Sequence, residues 1–339
     1  LHRFDYTPEQ CKQYHTTVEK TVVPLWKRIS ERRRDTMNLD RLRPWDGSVD
    51  PLGREPLKPF SNVEDLISGC ERIFDRVDPD FGRQFNAMAR DGLLDLSARK
   101  GKAPGGYQSS LDEARRPFVF MNAVGLNSDV FTLLHEGGHS FHTLACADHP
   151  LVDYRHGPME FNEVASMAME LLAAEHLEEF YSDEDKQRAK NTHFEDVIFI
   201  LPWVAVIDSF QHWIYENPEH SRDERREKWL EILHRLNGGV TDWTGLEEVE
   251  ACLWHRQLHI FEVPFYYIEY GIAQIGALQV WRNAKRDGVR AIKDYKKGLA
   301  LGGARPLPEI YQRAGIEFKF TEDIIGPLME AVGRELNLD

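Results

Sequence analysis

At 339 residues the chain exceeds the usual domain size of roughly 150, so it holds one large domain or two ordinary ones. Hydrophobic residues make up 42% of it and the net charge is −14, which excludes wholesale disorder and a general phosphate-backbone binder. The basic clusters at 27–34 and 222–228 are interrupted by Glu31, Asp223, Glu224 and Glu227 and read as solvated helix faces.

Cys11, Cys70, Cys146 and Cys252 stand 59, 76 and 106 residues apart. No pair has the spacing of a zinc knuckle or redox motif, and four are too few for a disulfide framework. The opening Leu-His-Arg-Phe-Asp-Tyr has no apolar signal core, and the longest apolar run, 197–207, is eleven residues including Pro202. These features predict a soluble, cytoplasmic protein with no membrane and no nucleic-acid partner. Leu1 in place of Met points to a fragment or a processed product.

In chain order, Val18, Val22, Leu25, Trp26 and Ile29 recur about one turn apart and predict one helix over 14–34. Asn62 is a candidate cap for the next helix, whose stripe continues through Ile73, Phe74 and Val77. Residues 94–125 differ: a Gly/Pro turn leads into Pro117-Phe-Val-Phe-Met-Asn, which predicts a short strand over 118–121. Gly101 and Gly105 lack the spacing of a phosphate loop, and no Gly-Lys-Ser/Thr follows. The predicted fold class is therefore mainly α with a small β region. It divides into a helical lead-in (1–93), the β region (94–125) and a helical part (126–339).

That last part opens on a helix carrying His135-Glu136-Gly-Gly-His139, with Ser128 or Asp129 as its candidate cap. Histidines four apart lie one above the other on a helix and can share an ion. Zinc suits two neutral imidazoles plus an oxygen. Glu136, about 100° round from His135, is placed to accept a proton from zinc's water. Gly137 and Gly138 cost roughly 1 kcal/mol each relative to alanine, so they are expected to admit another backbone or the substrate. His142 reads as a supporting or surface histidine.

A third histidine ligand would need glycine at 142 and histidine at 145, where the chain has His142 and Ala145. The alternative is a glutamate from a later helix. Glu163, 24 residues after His139, and Glu170 flank an apolar stripe of Val164, Met167, Ala168, Leu171 and Leu172. Buried carboxylates need partners. Glu163 as ligand with Glu170 accepting from a ligand imidazole satisfies both; two glutamates at the edge of an amphipathic helix is the plainer alternative. Further on, 182–191 reads as a turn and helix start, and Pro218 breaks the chain within 216–226. Finally His255, His259, Tyr266, Tyr267 and Tyr270 gather around Pro264. His259, Tyr267 and Tyr270 are candidate donors to the oxyanion of amide hydrolysis, although aromatic-rich helices are also common in cores.

Taken together, residues 95–107, 129–142, 161–170 and 259–270 resemble the thimet oligopeptidase family of zinc metallopeptidases, and most closely its oligoendopeptidase F branch. The resemblance covers roughly 60–290. It implies a zincin-type catalytic domain with one Zn2+ per chain on His135, His139 and Glu163, and Glu136 as general base and acid. His259, Tyr267 and Tyr270 map onto substrate-binding and oxyanion-stabilising positions. Gly137 is smaller than the residue usual in the family, and the chain is expected to lack the family's upstream helical region. The expected activity is zinc-dependent hydrolysis of internal bonds in short peptides, which would pair along an exposed edge of the strand at 118–121. The alternatives are a carboxypeptidase or dipeptidyl carboxypeptidase on the same site, a zinc-binding module without catalysis, or a helical scaffold whose histidines only pack.

Overall fold

The computed structural model describes residues 4–338; Leu1, on which the reading of a fragment rests, lies outside them. The helices and strands follow in the order α1 (Pro8–Thr21), α2 (Val23–Thr36), α3 (Val63–Val77), α4 (Pro79–Arg90), β1 (Leu94–Ser97), β2 (Tyr107–Leu111) and β3 (Arg116–Ala123). There follow α5 (Asn127–Ala145), α6 (Met159–Ala173), α7 (Asp183–Glu216), α8 (Arg222–Leu236), α9 (Glu247–Ala251) and α10 (His259–Glu262). The chain closes with α11 (Ile268–Arg286), α12 (Gly288–Leu299), α13 (Leu307–Arg313) and α14 (Glu322–Glu335). It is mainly α, as the sequence predicts. It divides into two compact units, one of residues 1–55, 191–272 and 319–339 and one of residues 56–190 and 273–318.

In the first unit the single helix predicted over 14–34 is two. Pro24 has no N–H for the carbonyl of Lys20, and the break falls at Val22, between α1 and α2. α1 starts on a capping box: Thr7 Oγ1 accepts from the Gln10 N–H, and Gln10 Oε1 accepts from the Thr7 N–H. Its inner face buries Tyr14 and Val18, and Tyr14 donates its hydroxyl to the Leu201 carbonyl at 2.9 Å. Trp229 stands edge-on to Phe210, 5.1 Å between centroids, and its indole N–H meets the Glu250 carbonyl. α7 has an 18-residue window of mean hydropathy 1.5, so by length and composition it could cross a membrane. That window is 61% buried inside the protein, as a core helix would be.

In the second unit Asn62 caps α3 as expected, its Oδ1 accepting from the Asp65 N–H at 2.8 Å. Phe74, Phe81, Phe85 and Phe141 form an aromatic core, with Phe81 stacked on Phe141 at 4.6 Å. The sheet has the order β1-β3-β2, with β1 parallel and β2 antiparallel to β3. The predicted strand is therefore longer than 118–121 and central, with both edges taken. β3 buries Val119 and Met121 on one face; on the other, Phe120 stacks on its cross-strand partner Tyr107 at 4.9 Å. Lys102, its side chain 1% exposed, lies over the Phe120 ring and donates to the carbonyls of Asp95 and Ser97. Asn122 donates to the carbonyls of Ala103 and Gly105. These bonds fix the Gly/Pro loop that delivers β2 to the site.

Candidate metal centre and active site

α5 begins after Leu126, not at Ser128 or Asp129. Asp129 instead lies in its first turn, where Oδ2 accepts from the N–H groups of Val124, Gly125 and Leu126 at 2.8, 2.8 and 2.9 Å. One carboxylate thereby ties the end of the sheet to the start of the helix. One turn and a half further on, His135 and His139 present their Nε2 atoms 3.1 Å apart.

α6 lies directly against this stretch. A Cβ on Gly138 would stand 2.5 Å from the Ala165 carbonyl oxygen and 2.6 Å from Ser166 Cα. Gly138 is thus the residue that admits another backbone, and that backbone carries Glu163. A Cβ on Gly137 would meet the Phe74 ring at 2.4 Å, so the small residue there makes room for the aromatic core. Glu163 Oε2 lies 3.4 Å from His135 Nε2 and 3.8 Å from His139 Nε2, and it accepts from Ser166 Oγ at 3.1 Å. Glu170 Oε1 meets His135 Nδ1 at 2.6 Å, the contact expected of a carboxylate that orients a ligand imidazole.

The donor set fits zinc. Bonds of about 2.0–2.2 Å give a tetrahedron edges of roughly 3.3–3.5 Å. The three observed donor separations of 3.1, 3.4 and 3.8 Å straddle that range. Beside them, Glu136 Oε2 is buried and without a hydrogen-bond partner among the described residues, an orphan that asks for a donor.

Burial pushes the Glu136 carboxyl up to about 7, against the charge of His135. Burial also opposes charge on His135, but Glu163 and Glu170 outweigh it and raise that imidazole well above its ordinary value. His139 is pushed down to about 4 by burial and by His135. His142 is buried rather than on the surface, edge-on to Phe161 at 5.8 Å, and burial drives it to about 3.

A cavity of about 350 Å³ opens over these groups, walled by Gly106, Tyr107, Gln108 and Ser110 of the β2 side and by Thr143, Arg155, His156 and Asn162. Sequence reasoning missed this wall. Its residues are unremarkable polar types, and only the fixed loop brings them to the histidines.

His259, Tyr267 and Tyr270 form a cluster of their own in the first unit, with ring centroids 5.0, 5.9 and 5.4 Å apart. Tyr267 immediately precedes α11 and Tyr270 lies in its first turn, while Pro264 falls between α10 and α11. Two residues that the sequence did not single out set the chemistry of His259. Trp203 Nε1, which can only donate, reaches Gln257 Oε1 at 3.1 Å and so fixes that amide. The Gln257 NH2 then donates to His259 Nδ1 at 2.7 Å. With Nδ1 accepting, the imidazole proton sits on Nε2, making that atom a donor. Burial lowers the pKa of His259, which keeps the ring neutral.

The sequence profile of peptidase family M3 matches residues 1–329. The chain belongs to peptidase family M3. Within this family it is similar to the oligoendopeptidase F homolog of Borreliella burgdorferi, 26% identical over 309 residues that cover 87% of this chain and 50% of that protein. Oligopeptidase PepF of Bacillus subtilis is also 26% identical, over 92% of this chain and 47% of its own length. A solved structure of PZ peptidase A with an inhibitor superposes with a TM-score of 0.89 at 30% identity, covering 98% of this chain and 59% of that one. The M3 chain thus spans about half the length of the curated relatives it matches.

Proposed function

We propose that residues 1–339 form the catalytic domain of a zinc-dependent endopeptidase that hydrolyses internal bonds of short peptides. The observation that carries this reading is the convergence of His135 Nε2, His139 Nε2 and Glu163 Oε2 beside the unpartnered Glu136 Oε2. The oligopeptidase names of its M3 relatives support the substrate class. His135, His139 and Glu163 would hold one zinc per chain, with Glu170 orienting His135 through Nδ1. Zinc, when bound, supplies Lewis acidity toward a carbonyl and lowers the pKa of water.

Glu136 takes the proton from the attacking water at Oε2 and passes it to the leaving amine. His259 Nε2–H and the hydroxyls of Tyr267 and Tyr270 are the candidate oxyanion donors, a role that the family resemblance assigns to them. The substrate strand lies along β2, whose outer edge pairs with no strand among the described residues and whose residues wall the cavity. This replaces the edge of β3 as the docking edge. The four cysteines are free, which supports assignment to a reducing, cytoplasmic compartment.

The test is zinc content measured together with the products from a quenched peptide blocked at both ends. Zinc bound and an internal bond cut is the expected result. Zinc bound without any cut marks a binding module instead, and cutting only of peptides with a free C-terminus marks a carboxypeptidase.

A further inference from the structure

The first unit contains a second group of metal-type donors that the peptidase reading does not use. Cys11 and His15 sit one turn apart on α1, and Asp208 and His212 one turn apart on α7. The Cys11 sulfur, a carboxylate oxygen of Asp208 and a ring nitrogen of His212 all lie within 4.8 Å of one another. Asp208 has no exposed surface, and Cys11 is buried.

A fully buried carboxylate is costly unless each oxygen finds a donor or a cation. Oδ2 has one: His15 Nε2 stands 2.7 Å away. Oδ1 is buried with no hydrogen-bond partner among the described residues. His212 Nε2 makes a long contact of 3.4 Å to the same oxygen, Oδ2, and so leaves Oδ1 without a donor. Two separate observations therefore point to a ligand here, the converging donors and the orphaned oxygen.

We propose that Cys11, Asp208 and His212 bind a divalent, thiophilic metal ion of the zinc class, with His15 orienting Asp208 by donating to Oδ2. Thiolate, imidazole and carboxylate together select zinc over calcium or magnesium, which take oxygen ligands. A tetrahedral site with one thiolate has edges of roughly 3.3–3.7 Å, so modest side-chain rotation closes the set. Binding releases the thiol proton of Cys11 and leaves a thiolate whose charge the ion neutralises. The ion then satisfies the orphaned carboxylate oxygen and pins α1 to the later part of α7. It is a structural clamp, made of residues none of which takes part in the proposed hydrolysis.

Cobalt(II) tests this without any reading of activity, since a thiolate bound to cobalt gives a near-ultraviolet charge-transfer band and imidazole or carboxylate ligands do not. His135, His139 and Glu163 include no sulfur, so the band does not report them, and Cys252→Ser, which removes the exposed thiol, is expected to keep it. The full chain equilibrated with Co2+ is expected to show the band, and His139→Ala is expected to keep it. Cys11→Ser and His212→Gln, each checked for native circular dichroism, are expected to lose it and to bind one zinc fewer by mass spectrometry. A wild-type chain without the band overturns the proposal, as does a band that survives Cys11→Ser in a folded protein. Should Cys11→Ser fail to fold, His212→Gln carries the same comparison.

Discussion

The two histidine–carboxylate groups of this M3 chain are built from the same local device and differ in what surrounds it. Each uses side chains four apart on one helix, met by side chains from another. At His135/His139 the imidazoles are 26% and 17% exposed and a cavity opens over them. At the proposed ligands His212 and Asp208 the exposures are 13% and 0%. Catalytic metal sites keep a position open to water and substrate, whereas structural ones are closed by protein. The cavity over the first group and the thiol in the second separate the two.

Substitutions at the open group test this division. Glu136→Gln comes first, because it removes the proton acceptor and leaves the donors in place. It should cost about 10²–10⁴ in kcat with zinc content unchanged. Retained turnover, measured with the doubly blocked peptide, would remove the functional distinction from the closed group. Next is Glu170→Gln, which weakens the hold on His135 Nδ1; zinc affinity should fall about 10–100-fold in chelator competition. An unchanged affinity would return Glu170 to an ordinary packing role.

The smallest effect is Gly138→Ala. Its Cβ meets the backbone of α6, which cannot swing aside as a side-chain tip could. About 1–3 kcal/mol of stability should be lost in denaturant unfolding, together with weaker zinc binding as Glu163 is displaced. Loss of stability with zinc affinity intact would mean that the close approach of α6 serves packing only.

The open group was legible because its elements are local. Helical spacing alone puts His135 and His139 on one face, and the apolar stripe of α6 places Glu163 and Glu170 beside it. The closed group was not legible, since His15 and Asp208 are 193 residues apart and nothing in Cys11's neighbourhood marks it. The break at Pro24 was in principle readable, because it follows from a missing N–H. The central position of β3 was not, because strand order depends on which segments pair.

Residue order is enough to set the helical class, the His135-Glu136-x-x-His139 face and the resemblance that names the family. Periodicity and capping act within a turn or two, where the order of residues fixes the neighbours. Packing of remote segments is what lets Gly138 admit α6, makes β2 the wall of the cavity, sets the proton of His259 through Gln257 and brings Cys11 to Asp208. Each of these depends on contacts between segments distant in the chain, and burial and excluded volume choose such contacts only when the whole unit packs.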